Sequence, residues 1–151
     1  MKKLIVFGLF LFGYLFAQSH ELRRELDLAW KDEKLTNLLI KRLETKMDSD
    51  TRGYLAAAYM MKSNHASMPW TKLSYFYKGK NLLDQSIEEQ PNNIEWRLFR
   101  YEIQIRIPKG LKYNHMAEDR SILIAYKENR VNSKKDEDLY QKISLLKLNK
   151  G

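Results

Sequence analysis

Only three prolines, Pro69, Pro91 and Pro108, interrupt the chain, and beyond residue 17 the glycines are Gly53, Gly79, Gly110 and the terminal Gly151. Between these breaks run long stretches of good helix formers, and proline and glycine are the residues that most readily stop a helix. The spacing predicts an all-α chain of about seven helices arranged as antiparallel pairs.

Apolar residues mark the buried faces. Leu22, Leu26, Ala29 and Trp30 recur at spacings of three and four in a first helix, and Leu35, Leu38, Leu39, Leu43 and Met47 line a second. Asp50 is positioned to cap a third helix that buries Tyr54, Leu55, Ala58 and Met61. Pro69 suits the first turn of a fourth, because its missing N–H has no helical partner there. That helix carries Phe76, Gly79, Leu83 and Ile87 on one stripe, with Leu73, Tyr75, Leu82 and Ser86 beside it.

The stretch after Asn93, "IEWRLFRYEIQIRIP", reads two ways. Tyr101, Ile103, Ile105 and Ile107 alternate with polar residues as in a half-buried strand. Ile94, Leu98, Tyr101 and Ile105 also fall on one helical stripe, and Trp96, Phe99 and Ile103 on another. No second alternating run is present to pair with, and a lone strand leaves its backbone groups unsatisfied, so a helix buried on two sides is expected. A sixth helix from about residue 116 to 130 turns Ile122, Leu123 and Tyr126 inward. Ser133 to Asp136 reads as a capping box ahead of a seventh that buries Leu139, Ile143 and Leu146.

Gly79, Leu83, Ser86 and Pro91 form a small, large, small, proline series. It resembles the second helix and closing turn of a tetratricopeptide repeat, and "KLSYFYKGKNLLDQSIEEQPNNIEWRLFRYEIQ" is similar to small exported bacterial proteins with degenerate repeats of this kind. The resemblance implies a TPR-like domain over residues 18–151, with one helix pair at about residues 51–63 and 70–90. It implies no assigned activity.

The first residues address location. Lys2 and Lys3 precede the apolar run Leu4–Phe16, followed by Ala17, Gln18 and Ser19, the order of a secretory signal peptide. Such a run spans only about 20 Å at 1.5 Å per residue, short of a bilayer core of roughly 30 Å. Cleavage after Ala17 is expected, with the mature chain periplasmic or secreted. The sequence has no cysteine, which excludes disulfides, thiolate metal sites, a cysteine nucleophile and a lipoprotein anchor.

A formal charge of +8, weighted to the part beyond residue 94, suits anionic lipid or glycan surfaces better than nucleic acid in an exported protein. No glycine-rich phosphate loop, serine elbow or two-histidine metal spacing occurs, and neighbouring carboxylates such as Glu118 and Asp119 do not face each other on a helix. No catalytic residue, cofactor or small-molecule substrate is predicted. One metal alternative joins His65, His115 and Glu118; against it, Asn114 or His115 serves as a cap and the two carboxylates favour a helix N-terminus.

The remaining candidates are recognition residues. "PWTKLSYFY" is the densest aromatic cluster, and Trp70, Tyr75 and Tyr77 cannot all share the buried stripe of Phe76. Arg97 and Arg100, with Arg106, Lys109 and Lys112, form the sharpest basic group. The reading is a non-catalytic exported module that binds a protein or peptide partner through these aromatic and basic residues. Peripheral binding to anionic lipid or glycan is the alternative, and a metal-dependent envelope enzyme ranks below it.

Overall fold

The computed structural model describes residues 19–129, 136–146 and 148. The expected signal peptide and its cleavage site, Ser133 and the terminal "NKG" lie outside the described residues. Among the described residues the chain is all-α, with no strand, and no helix is long and apolar enough to cross a membrane. The helices are α1 (19–29), α2 (Glu33–Thr45), α3 (Arg52–His65), α4 (Pro69–Glu89), α5 (Ile94–Gln104), α6 (Met116–Glu128) and α7 (Glu137–Leu145). The chain divides into two compact units, 1–82 and 83–151, with the boundary inside α4.

In the first unit, α1 buries Leu22, Leu26 and Ala29, as their spacing requires. Asp32 caps α2, its carboxylate accepting from the backbone N–H of Lys34 at 2.8 Å and of Leu35 at 3.1 Å. The buried Thr36 hydroxyl donates to the Ala29 carbonyl at 2.8 Å, which fixes the turn between α1 and α2. The buried stripe of α2 is therefore Thr36, Leu39, Ile40 and Leu43. Trp30, Leu35, Leu38 and Met47, expected inward, stand exposed instead. A helix packed on one side buries only one stripe, and Thr36 and Ile40 rotate it away from Leu35 and Leu38.

The turn before α3 is built on Asp48 rather than Asp50. The Asp48 carboxylate accepts from the N–H of Asp50 at 3.0 Å, from the N–H of Thr51 at 2.8 Å and from the Thr51 hydroxyl at 2.9 Å. Thr51 occupies the N-cap position and makes no side-chain capping bond, which corrects the assignment of that role to Asp50. From Gly53 to Met61 every residue of α3 is buried, so this helix is the centre of its unit. Gly79 of α4 lies directly against it. A Cβ built at Gly79 would sit 2.7 Å from the Ala56 carbonyl oxygen and 2.7 Å from Met60 Cγ, so the close approach of α3 and α4 depends on the missing side chain.

In the second unit Leu83, Ser86, Ile87 and Trp96 are buried, and a cluster of Leu98, Tyr101, Leu123, Leu139 and Ile143 joins α5, α6 and α7. Ile94, Tyr126, Leu146 and Leu148 pack against it, half-covered. The ambiguous run after Asn93 is helical through Gln104 and then turns. The helix stops before Ile105, and that side chain, expected on the buried stripe, is exposed. Asn93 caps α5 by accepting from the N–H of Glu95 at 3.1 Å and of Trp96 at 3.3 Å. Asn93→Ala should therefore destabilise this unit by about 1 kcal/mol, read as a shift in denaturation midpoint at unchanged slope.

A short 3-10 turn, Lys109–Leu111, leads to Lys112, whose φ of 50° lies in the left-handed region. At α7 Asp136 is the N-cap, accepting from the Leu139 N–H at 3.2 Å, and the Ser133 end of the expected capping box lies outside the described residues.

Candidate functional site

Arg97, Arg100 and Gln104 follow at spacings of three and four, so α5 directs all three to one side. Across from them stands the first turn of α6 with Glu118 and Asp119. Asp119 is 0% exposed. Its carboxylate accepts from Arg100 Nε at 2.8 Å, Arg100 Nη2 at 2.7 Å, Arg97 Nη1 at 3.3 Å and Gln104 Nε2 at 3.1 Å. Glu118 is half exposed and accepts from Arg97 at 2.5 Å and from Arg100 at 3.2 Å.

The network extends to both sides. Asp84 accepts from the Tyr113 hydroxyl at 2.7 Å and lies 3.8 Å from Arg100 Nη1. The Gln104 side-chain carbonyl accepts from the His115 backbone N–H, so one side chain ties the end of α5 to the start of α6. The Arg97 guanidinium holds the Glu118 carboxyl below the usual carboxylate range, with Arg100 adding to the effect. Burial pushes the Tyr113 hydroxyl far above an ordinary phenol, and the bond to Asp84 pushes the same way. For Arg100, burial pulls the pKa down, but the hydrogen bond and charge of Asp119, with Tyr113 and Glu118 adding, together outweigh it and the pKa is raised.

The basic ladder therefore does not form a ligand-binding rim. Arg97 and Arg100, expected to meet an anionic partner, are 6% and 4% exposed and face two carboxylates of their own chain. Desolvating a guanidinium is costly unless a carboxylate accompanies it, and Asp119 fills that role. Nor is Asp119 available for acid–base work, since four N–H groups saturate its oxygens.

This arrangement also sets a pH response. The depressed folded pKa of Glu118 means that its contribution is present above the ordinary carboxylate value and is lost as pH falls through the folded one. The second unit should melt at lower temperature as pH drops below the carboxylate range, and Glu118→Gln should flatten that dependence.

The other expected site residues scatter. Lys109 and Lys112 are exposed on the 3-10 turn. Arg106 is exposed and pairs with Glu102 one helical turn earlier. Tyr75 packs within its unit, its ring 6.1 Å from Tyr59 with Lys62 Nζ 4.8 Å from its centroid. Trp70 is 69% exposed, and Tyr77 stands outward as well.

His115 occupies the N-cap position of α6 without a side-chain capping bond, its Nδ1 3.4 Å from a Glu118 oxygen already held by Arg100. Among the described residues no group of three histidine or carboxylate side chains is placed to hold a metal ion. A separate cluster joins Glu44, Tyr59 and Lys78, with the lysine donating to the phenol at 2.6 Å and the phenol to the carboxylate. Burial raises the pKa of Tyr59, and the cluster ties α2, α3 and α4 together.

Two features escaped the sequence reading. The stripe of Arg97, Arg100 and Gln104 on one side of a helix rich in buried apolar residues was the available sign that a carboxylate is buried opposite it. The second is the set of outward apolar residues around the α1–α2 turn, Leu28, Trp30, Leu35 and Leu38, with Leu38 63% exposed. The position of Thr36 within the stripe was its only trace.

Among the described residues the chain is all-α, with an internal polar clamp in the second unit and most of its exposed large apolar side chains on the first. Compared with protein-family models, curated proteins and solved structures, the chain matches none.

Proposed function

We infer that the chain is an exported, non-catalytic interaction module of the cell envelope, built from degenerate TPR-like helix pairs, that takes a protein partner on its first unit. The observation carrying this reading is the outward set Leu28, Trp30, Leu35 and Leu38, large apolar side chains that the α1–α2 packing leaves in water. Clustered exposed apolar residues with polar neighbours are the usual mark of a protein contact. Acidic and basic residues are interspersed along α1 and α2, for example Glu25 with Arg42, which suits a partner surface of no strong sign. The fit of Gly79 against α3 supports tight helix pairing of the repeat kind.

Export rests on the sequence of residues 1–19, and the exported chain should begin at Gln18 on N-terminal mass analysis. The interaction is tested by placing a photo-crosslinking amino acid at position 38 in the producing cell. A discrete adduct, lost when Trp30→Ser is added, is expected. No adduct beyond that formed from the exposed polar position 24 would end the reading.

A further inference from the structure

A second apolar surface on the first unit has a different electrical setting. Trp70, Leu73 and Tyr77 follow at spacings of three and four, placing them on one stripe of α4 opposite the buried Phe76 and Gly79, and Met68 precedes them. All four of the outward side chains are exposed. No aspartate or glutamate occurs between Asp50 and Asp84, whereas Arg52, Lys62, Lys72, Lys78 and Lys80 all lie there. Lys78 meets Glu44 at 3.4 Å, one carboxylate against a run that is otherwise of a single sign.

We propose that the first half of α4 is a seat for an anionic lipid surface, with Trp70, Leu73 and Tyr77 entering the headgroup region and the acid-free cationic run drawing it toward lipid phosphates. Three observations select this occupant. The run free of acids repels a second copy of itself and attracts an anionic surface, in contrast to the mixed charges of α1 and α2. Tryptophan and tyrosine are the side chains whose rings combine an apolar body with a polar edge, which suits the membrane–water interface. The outer face of a helix is convex, and it meets a planar interface without needing a pocket for each side chain. This inference concerns a different surface from the one assigned to a protein partner and does not rest on that assignment.

The absence of native cysteine allows a local probe in the full chain. Ser74, exposed on the same stripe, is replaced as Ser74→Cys and labelled with an environment-sensitive fluorophore. The label reports α4 alone, so binding through the apolar run 4–16 does not register. With vesicles of phosphatidylcholine and phosphatidylglycerol, the label should brighten and shift to the blue, with partitioning about tenfold stronger than onto pure phosphatidylcholine. Raising salt should reverse the shift. Trp70→Ser with Tyr77→Ser should abolish it while circular dichroism stays unchanged.

A label that remains in water on both vesicles overturns the proposal. An equal response on the two vesicles, or one that survives the double replacement, overturns it too. A label silent to lipid but shifted by a purified acidic envelope protein would assign the stripe to a protein instead.

Discussion

Asp119→Ala should remove a large fraction of the stability of the second unit. The substitution takes away the one fully buried carboxylate among the described residues and leaves Arg97 and Arg100 inside with only the more exposed Glu118 and Asp84 to offset their charge. Breaking a buried pair by deleting one partner typically costs about 3–5 kcal/mol. Arg100 retains Glu118 at 3.2 Å and Asp84 at 3.8 Å, which places the expected loss near the lower end of that range. Against a total of about 5–15 kcal/mol for an ordinary domain, even that end removes a large fraction. Asp119→Asn keeps the shape but loses the charge, and it should fall between the wild type and alanine. Thermal and urea denaturation followed by near-ultraviolet dichroism read this directly, because Trp96 and Tyr101 lie buried in the same unit.

Gly79→Leu should be the most damaging change in the first unit, costing about 3 kcal/mol or more, because overpacking meets backbone here as well as the Met60 side chain, and the backbone cannot swing away. The near atom is the Ala56 carbonyl oxygen, at 2.7 Å from even a Cβ. Gly79→Ala separates packing from helix propensity. In an exposed helix it would gain up to about 1 kcal/mol, so a net loss for alanine shows that the contact with α3 outweighs the propensity. Gly110, with nothing within 4 Å of its built Cβ, is the control, and Gly110→Ala should change little.

Helix positions were largely legible because they rest on local signals. Pro69 opens α4, Asn93 caps α5 with the geometry its type predicts, and Leu22, Leu26 and Ala29 recur at helical spacing. The helical outcome at Tyr101 to Gln104 followed from the absence of a pairing strand, while the turn from Ile105 on did not show in the spacing. Facing was less legible. Leu35 and Leu38 sit among apolar neighbours at plausible spacings, and only the packing of Thr36 on the Ala29 carbonyl decides which stripe turns inward. The clamp was least legible of all. Arginine is usually left on the surface unless paired, and the carboxylate that draws Arg100 inside is 19 residues away along the chain. Pairings across helices depend on tertiary placement, which periodicity within one helix does not encode.

The central claim is that the arginines of α5 hold the second unit together and are not displayed to a ligand. It is tested most directly by a double-mutant cycle between positions 100 and 119, using Arg100→Ala, Asp119→Ala and the pair. Each single replacement should strand a buried charge, and the pair should be far less damaging than their sum, with a coupling above about 2 kcal/mol. Strictly additive losses, or a neutral Arg100→Ala, would contradict the buried pair and return Arg100 to the surface.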